Sequence, residues 1–178
     1  KNYIKVYSEA EPDVWVIGGR TLEPGSRIMR DRDDLIGGVI TKYGKTMKNF
    51  ESEESGVCEW VVGANFSARK DKFLEAGGFD KNFIGNAMLE DSDFGYSVKA
   101  AGGKVFFSSE PVLEHLRVTT GGTRRFKRYR AMYYRSHNTA YFFKKHKLKR
   151  YLPLVFLYLQ GVATKEWLKR NHPITAFP

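Results

Sequence analysis

The chain has almost no cysteine. Cys58 stands alone among 178 residues, so no intrachain disulfide can form. That fits a reducing compartment or indifference to redox state. Cys58 lies in an apolar run, 57–62, and reads as a small core residue rather than a nucleophile. Long hydrophobic runs are missing as well. The longest, Tyr151 to Leu159, is too short to span a bilayer, and no signal peptide is visible. There is no internal repeat and no low-complexity tract. Acidic residues are missing from one region: 117–165 hold thirteen Lys or Arg and no Asp or Glu. The whole chain has 30 basic and 20 acidic residues, which leaves 17 against 20 elsewhere. The net charge of +10 is therefore the property of one segment.

What is present is the composition of an ordinary soluble domain, 42% hydrophobic and 28% charged. The basic segment reads as helical, from Arg124 to about His146 and, after a break at Pro153, from about Leu154 to Lys169. Tyr129, Met132, Tyr133, Tyr141, Phe142 and Phe143 give it aromatic and apolar contact surface. Composition alone would admit a nucleic-acid partner. No helix-turn-helix, zinc or RNA-recognition signature accompanies the charge, so none is expected. Apolar Leu152 to Leu159 beside Lys144 to Arg150 suits peripheral docking on an anionic membrane surface, and equally a helix packed on another part of the protein.

The remainder divides coarsely. Val14 to Gly18 reads as β structure. A polar, mobile stretch follows from about Glu23 to Ser55, with at most a short helix around Leu35 to Tyr43. Within it Asp31-Arg32-Asp33-Asp34 has no hydrophobic strand before it and reads as a solvated loop. Val57 to Val62 is β-like, and a helix from Lys70 to Ala76 stops at Gly77.

Gly77 to His115 is the most informative stretch. A Gly-Gly-Phe-Asp turn leads to Glu90-Asp91-Ser92-Asp93. Phe94, Val98 and Ala101 recur at i, i+4 and i+7, which makes one apolar helical stripe. Gly102 and Gly103 stop that helix. β segments follow at Lys104 to Ser108 and up to His115. Acids at a helix start are ordinarily caps that suit the macrodipole, and Asp93 is the one expected to be a plain cap. Three acids followed by a histidine two short elements later can also perform base and metal chemistry.

The order Gly63-Ala64-Asn65, a short helix, Gly77-Gly78-Phe79-Asp80, Glu90-Asp91-Ser92-Asp93, Ala101-Gly102-Gly103-Lys104 and His115 resembles the C-terminal half of a family 2 glycosyltransferase of the GT-A fold. The resemblance covers about Asp13 to Arg135. It implies an α/β domain, a mixed sheet with flanking helices, in which 1–120 is the acceptor and catalytic half and 121–178 a basic helical extension. It also implies that the nucleotide-binding βαβ half, with its aspartate-rich metal motif, lies ahead of these residues. The chain then looks like a fragment, inactive in isolation, whose sheet edge is bare or covered by another copy as a homodimer.

The resemblance assigns roles. Asp91 is the base that deprotonates the acceptor hydroxyl, and Glu90 orients the acceptor. Like charges raise the Asp91 pKa and the helix start lowers it, and the sequence does not decide between them. His115 is either a structural histidine or part of a divalent site for Mg²⁺ or Mn²⁺ facing the diphosphate. Gly63, Ala64 and Asn65 bring backbone and an amide near the donor sugar, or simply form a tight turn. Trp60 is an acceptor-stacking platform or a core residue. Arg117, Arg124 and Arg125 flank a Thr-Thr-Gly-Gly-Thr loop that suits a lid over a diphosphate, or a solvated connector. The expected partners are a nucleotide-sugar donor and a saccharide, glycolipid or lipid-linked acceptor, with the enzyme cytoplasmic and peripheral on the inner face of the membrane. The competing readings are a non-catalytic sugar-binding or scaffolding fragment and, less favoured, a basic nucleic-acid-binding module.

Overall fold

A computed structural model describes residues 2–23, 25, 29–116 and 128–171. The central strand is β1, Val14–Leu22, whose first six residues are all buried. A near-continuous apolar run is what a strand covered on both faces requires. It pairs in parallel with β6, Lys104–Glu114, and antiparallel with β5, Phe66–Ala68. β4, Gly56–Cys58, pairs antiparallel with β6, which gives one mixed sheet in the order β4-β6-β1-β5. Val14 to Gly18 and Lys104 to Ser108 lie in this sheet, whereas of the β-like run Val57 to Val62 only Val57 and Cys58 do, as part of β4. The two β segments expected after Gly103 are one strand. Its register on β1 jumps from Gly19↔Ser108 to Arg20↔Val112, so Ser109 to Pro111 bulge out without ending it.

One face of the sheet is covered by α2, Lys70–Glu75, and α3, Glu90–Ala100. Phe94 and Val98 of α3 join Trp15, Val16, Val61 and Val105 in one core cluster, against which Phe73 of α2 packs. The expected stripe is the buried face. α3 approaches very closely because residue 95 is glycine: a Cβ there would stand 2.1 Å from the Glu59 carbonyl oxygen. The opposite face carries α1, Asn2–Glu9, an element the sequence did not announce, with Val6 against Val14 and Ile17.

The described residues between 29 and 55 correct the expectation of a polar, mobile stretch. β2, Gly37–Ile40, and β3, Thr46–Asn49, form an antiparallel hairpin closed by hydrogen bonds between Thr41 and Lys45. The helix considered at 35–43 is not formed. The reason lies in the apolar residues at the stretch's ends: Met29 and Phe50 bury with Trp60 and Phe107 and tie the segment to the sheet. Asp31 to Asp34 form the exposed loop expected.

The basic segment folds as α4, Arg128–Lys145, a short 3-10 turn at Lys149–Tyr151, and α5, Leu152–Asn171. Pro153 does not interrupt a helix but stands in the first turn of α5, where its missing N–H costs nothing. Phe142, Phe143 and Val155 bury with Phe83 and Leu89 of the loop before α3. The C-terminal helices thus hold the acidic motif from outside.

Candidate functional site

Val62 to Asn65 make a tight turn, with the Asn65 N–H donating to the Val62 carbonyl at 3.1 Å. Gly63 and Ala64 are exposed at its tip. The Gly63 N–H donates to the Asp91 carboxylate at 3.0 Å. The sequence thus brings two motifs 28 residues apart into direct contact. A Cβ at Gly63 would sit 2.7 Å from Asp91 Oδ1, so a larger residue there would move the carboxylate.

Below the carboxylate is a recess lined by Val61, Phe66, Phe79 and Phe94, with a volume of about 10 Å³. That is about the threshold for a single water. The recess is nearly filled by the aromatic rings. Phe79 of the Gly-Gly-Phe-Asp turn supplies one of them, 5.2 Å from Phe94 and 5.9 Å from Phe66. Burial in these apolar surroundings raises the Asp91 pKa, against the Gly63 hydrogen bond that lowers it. Burial and the neighbouring Asp91 also raise Glu90. The balance left open by the sequence is therefore settled by desolvation, which favours the protonated form.

None of the acids caps α3 through its side chain; the residue before the helix is Leu89, in the left-handed region with φ 78°. Asp93 in particular is no plain cap. It is fully buried and takes Lys145 Nζ at 2.7 Å and His146 Nε2 at 2.7 Å. Lys145 also reaches Asp80 at 2.8 Å, and the Tyr141 hydroxyl donates to the same carboxylate at 2.9 Å. Burial works against the Asp80 charge, yet the hydrogen bonds from Lys145, Asn82 and Tyr141 outweigh it and hold its pKa well below the carboxylate range. One lysine of α4 thus joins the Gly-Gly-Phe-Asp turn to α3. Asn138 strengthens this joint by bonding both the N–H and the carbonyl of Ile84.

Asn65 is buried. Its amide donates to the Arg20 and Pro111 carbonyls at 2.9 and 3.3 Å and accepts from the Tyr3 hydroxyl at 2.7 Å. It pins the β6 bulge and α1 to β1, so both of its amide protons are engaged. Trp60 is a core residue at 7% exposure, edge-on to Phe50 with ring centres 5.0 Å apart. Cys58 likewise packs in that region, its thiol pushed up to about 12 by burial.

His115 lies just past the end of β6, and its Nδ1 is 3.0 Å from Oε1 of buried Glu23. Sequence reading missed Glu23, which stands 92 residues away. The parallel register that aligns Leu22 with Glu114 is what brings the two together. Among the described residues no hydrogen bond or ion pair links His115 with Asp91 or Glu90, and no cluster of three or more His, Cys, Asp or Glu could hold a metal ion. One imidazole and one carboxylate are too few for Mg²⁺ or Mn²⁺, so these residues do not by themselves fit a divalent site. Arg117, Arg124 and Arg125 lie outside the described residues. No described helix is long and apolar enough to cross a membrane.

No protein-family model matches the chain, and no curated protein matches it.

Proposed function

We propose that this chain carries the acceptor side and the base of an inverting glycosyltransferase of the family 2, GT-A type, using a sugar-nucleotide donor and a saccharide, glycolipid or lipid-linked acceptor. The observation that carries the reading is the Asp91 carboxylate, held by the Gly63 N–H beside an exposed turn and given a raised proton affinity by its apolar recess. A base must be positioned and must hold a proton well enough to take one. Asp91 meets both conditions.

In the reaction, Asp91 accepts the proton of the acceptor hydroxyl as that oxygen bonds to the anomeric carbon. The bond from the anomeric carbon to the diphosphate oxygen breaks, and its electron pair leaves with the nucleoside diphosphate. Glu90, next to Asp91 and half-buried, hydrogen-bonds the acceptor. The resemblance gives Arg117, Arg124 and Arg125 the leaving diphosphate as partner, since guanidinium groups suit phosphate oxygens. The donor nucleotide is held by a βαβ half ahead of β1.

The test is nucleoside diphosphate release from a panel of nucleotide sugars by the protein that joins these residues to that half, with the product anomer read by NMR. Release with inversion is expected. Binding of sugar without release assigns the chain instead to a non-catalytic sugar-binding role.

A further inference from the structure

α5 carries apolar residues on both sides. Its inner side packs into the core through Val155, Leu152 and Leu159. Its outer side leaves Phe156 61%, Leu157 65% and Trp167 60% exposed, with Leu154 and Leu168 beside them. Gln160, Thr164 and Lys165 are exposed between these two apolar groups, so the outer side is mixed, as on a helix that lies at an interface. The helix's one acid, Glu166, does not interrupt this outer face; it lies beside Met132, Arg135 and Val162. Lys144, Lys147, Lys149 and Arg150 are exposed immediately ahead of α5, and its first turn has no acid. The macrodipole disfavours cations at that end, so these charges do not serve the helix itself.

We infer that the outer face of α5, with the basic cluster ahead of it, docks on an anionic lipid bilayer. The helix lies on the surface and does not cross it. Charge selects this occupant. Two copies meeting through this face would bring together two sets of the exposed cations Lys144, Lys147, Lys149 and Arg150. Leu, Phe and Trp beside Lys and Arg match the boundary between acyl chains and anionic headgroups. This inference does not rest on the chemistry at Asp91.

The test is co-sedimentation of the 178-residue chain with vesicles of phosphatidylcholine alone or mixed with phosphatidylglycerol. Binding is expected to the mixed vesicles and at least about tenfold weaker to the neutral ones. It should fall as salt rises from about 0.1 M to about 1 M, where screening shortens from roughly 10 Å to roughly 3 Å. Trp15 and Trp60 are buried, so a blue shift of tryptophan emission on binding reports Trp167. Phe156→Asp with Leu157→Asp, and separately Lys149→Glu with Arg150→Glu, should each weaken binding by about tenfold or more. Circular dichroism checks that both variants are folded. The charge-reversal pair alters only exposed side chains and decides the matter if the apolar pair unfolds. A chain that stays in the supernatant, or that binds both vesicles equally, overturns the inference. So does a solution dimer that Phe156→Asp with Leu157→Asp dissociates while no vesicle is bound, which would assign the face to a second copy.

Discussion

At the scale of single residues the account rests on Asp91 and the glycine that touches it. Between the ordinary aspartate value of about 3.9 and the raised value of Asp91, the folded protein holds a proton that the unfolded chain releases. Folding therefore loses stability as pH rises through that window. Asp91→Asn cannot ionise and can still accept from the Gly63 N–H. Its melting temperature should match the wild type below about pH 4 and exceed it at neutral pH, as thermal melts across pH would show. A lower melting temperature at pH 7 would mean that burial does not strain this carboxylate. Gly63→Ala places a methyl 2.7 Å from Asp91 Oδ1. It should lower sugar transfer about tenfold or more by displacing the base, without unfolding the domain. Unchanged transfer would separate the turn from the chemistry. Asp91 was singled out through the resemblance, on the Glu90-Asp91 pair; the patterned helix it opens is what the residues themselves announced. Glu23 and Lys145 were not, because each finds its partner across 50 or more residues, and no local signal marks such a pair.

At the scale of elements, a buried polar joint ties α3 to the end of α4. Asp93 is completely buried, with Lys145 against one of its oxygens and His146 against the other. Removing one partner of a buried pair costs about 3–5 kcal/mol. Asp93→Ala should fall near the lower figure, because Lys145 keeps Asp80. The exposed pair Lys5–Glu110 is the control, and Glu110→Gln should cost less than about 1 kcal/mol. Equal costs in urea melts would deny the joint its role. Asp80 adds a pH dependence of the opposite sign to Asp91. Its depressed pKa contributes stability above about pH 4 that is lost as pH falls. Asp80→Asn should flatten the acid limb of the stability curve; an unaltered limb would place acid sensitivity elsewhere. Gly95→Ala tests the approach of α3 to Glu59. A methyl 2.1 Å from a backbone oxygen forces the helix outward, at about 1–3 kcal/mol. The stripe of Phe94 and Val98 announced α3, but the packing on its acidic side was hidden. A carboxylate at a helix start reads as a cap until the neighbouring helix is known.

At the scale of the molecule, much of the sheet could be read in advance and the rest follows physical reasons. Val14 to Gly18 and Lys104 to Ser108 are runs of β-formers bounded by turn residues, and they became neighbouring parallel strands. The hairpin at Gly37–Asn49 escaped notice because charged residues dilute its alternation, and two apolar anchors, Met29 and Phe50, fix it from outside its own strands. α1 was hidden for a similar reason: one buried residue, Val6, and two tyrosine hydroxyls hold it to the sheet. In the middle of this architecture the Gly63 turn and the start of α3 meet, and there the functional proposal stands or falls. The most direct test is single-turnover sugar transfer by wild type and Asp91→Asn in the protein that joins these residues to a nucleotide half, with donor affinity measured on the same samples. The account predicts donor affinity largely kept and the transfer rate lower by about two or more orders of magnitude. Near-normal transfer by Asp91→Asn would contradict it.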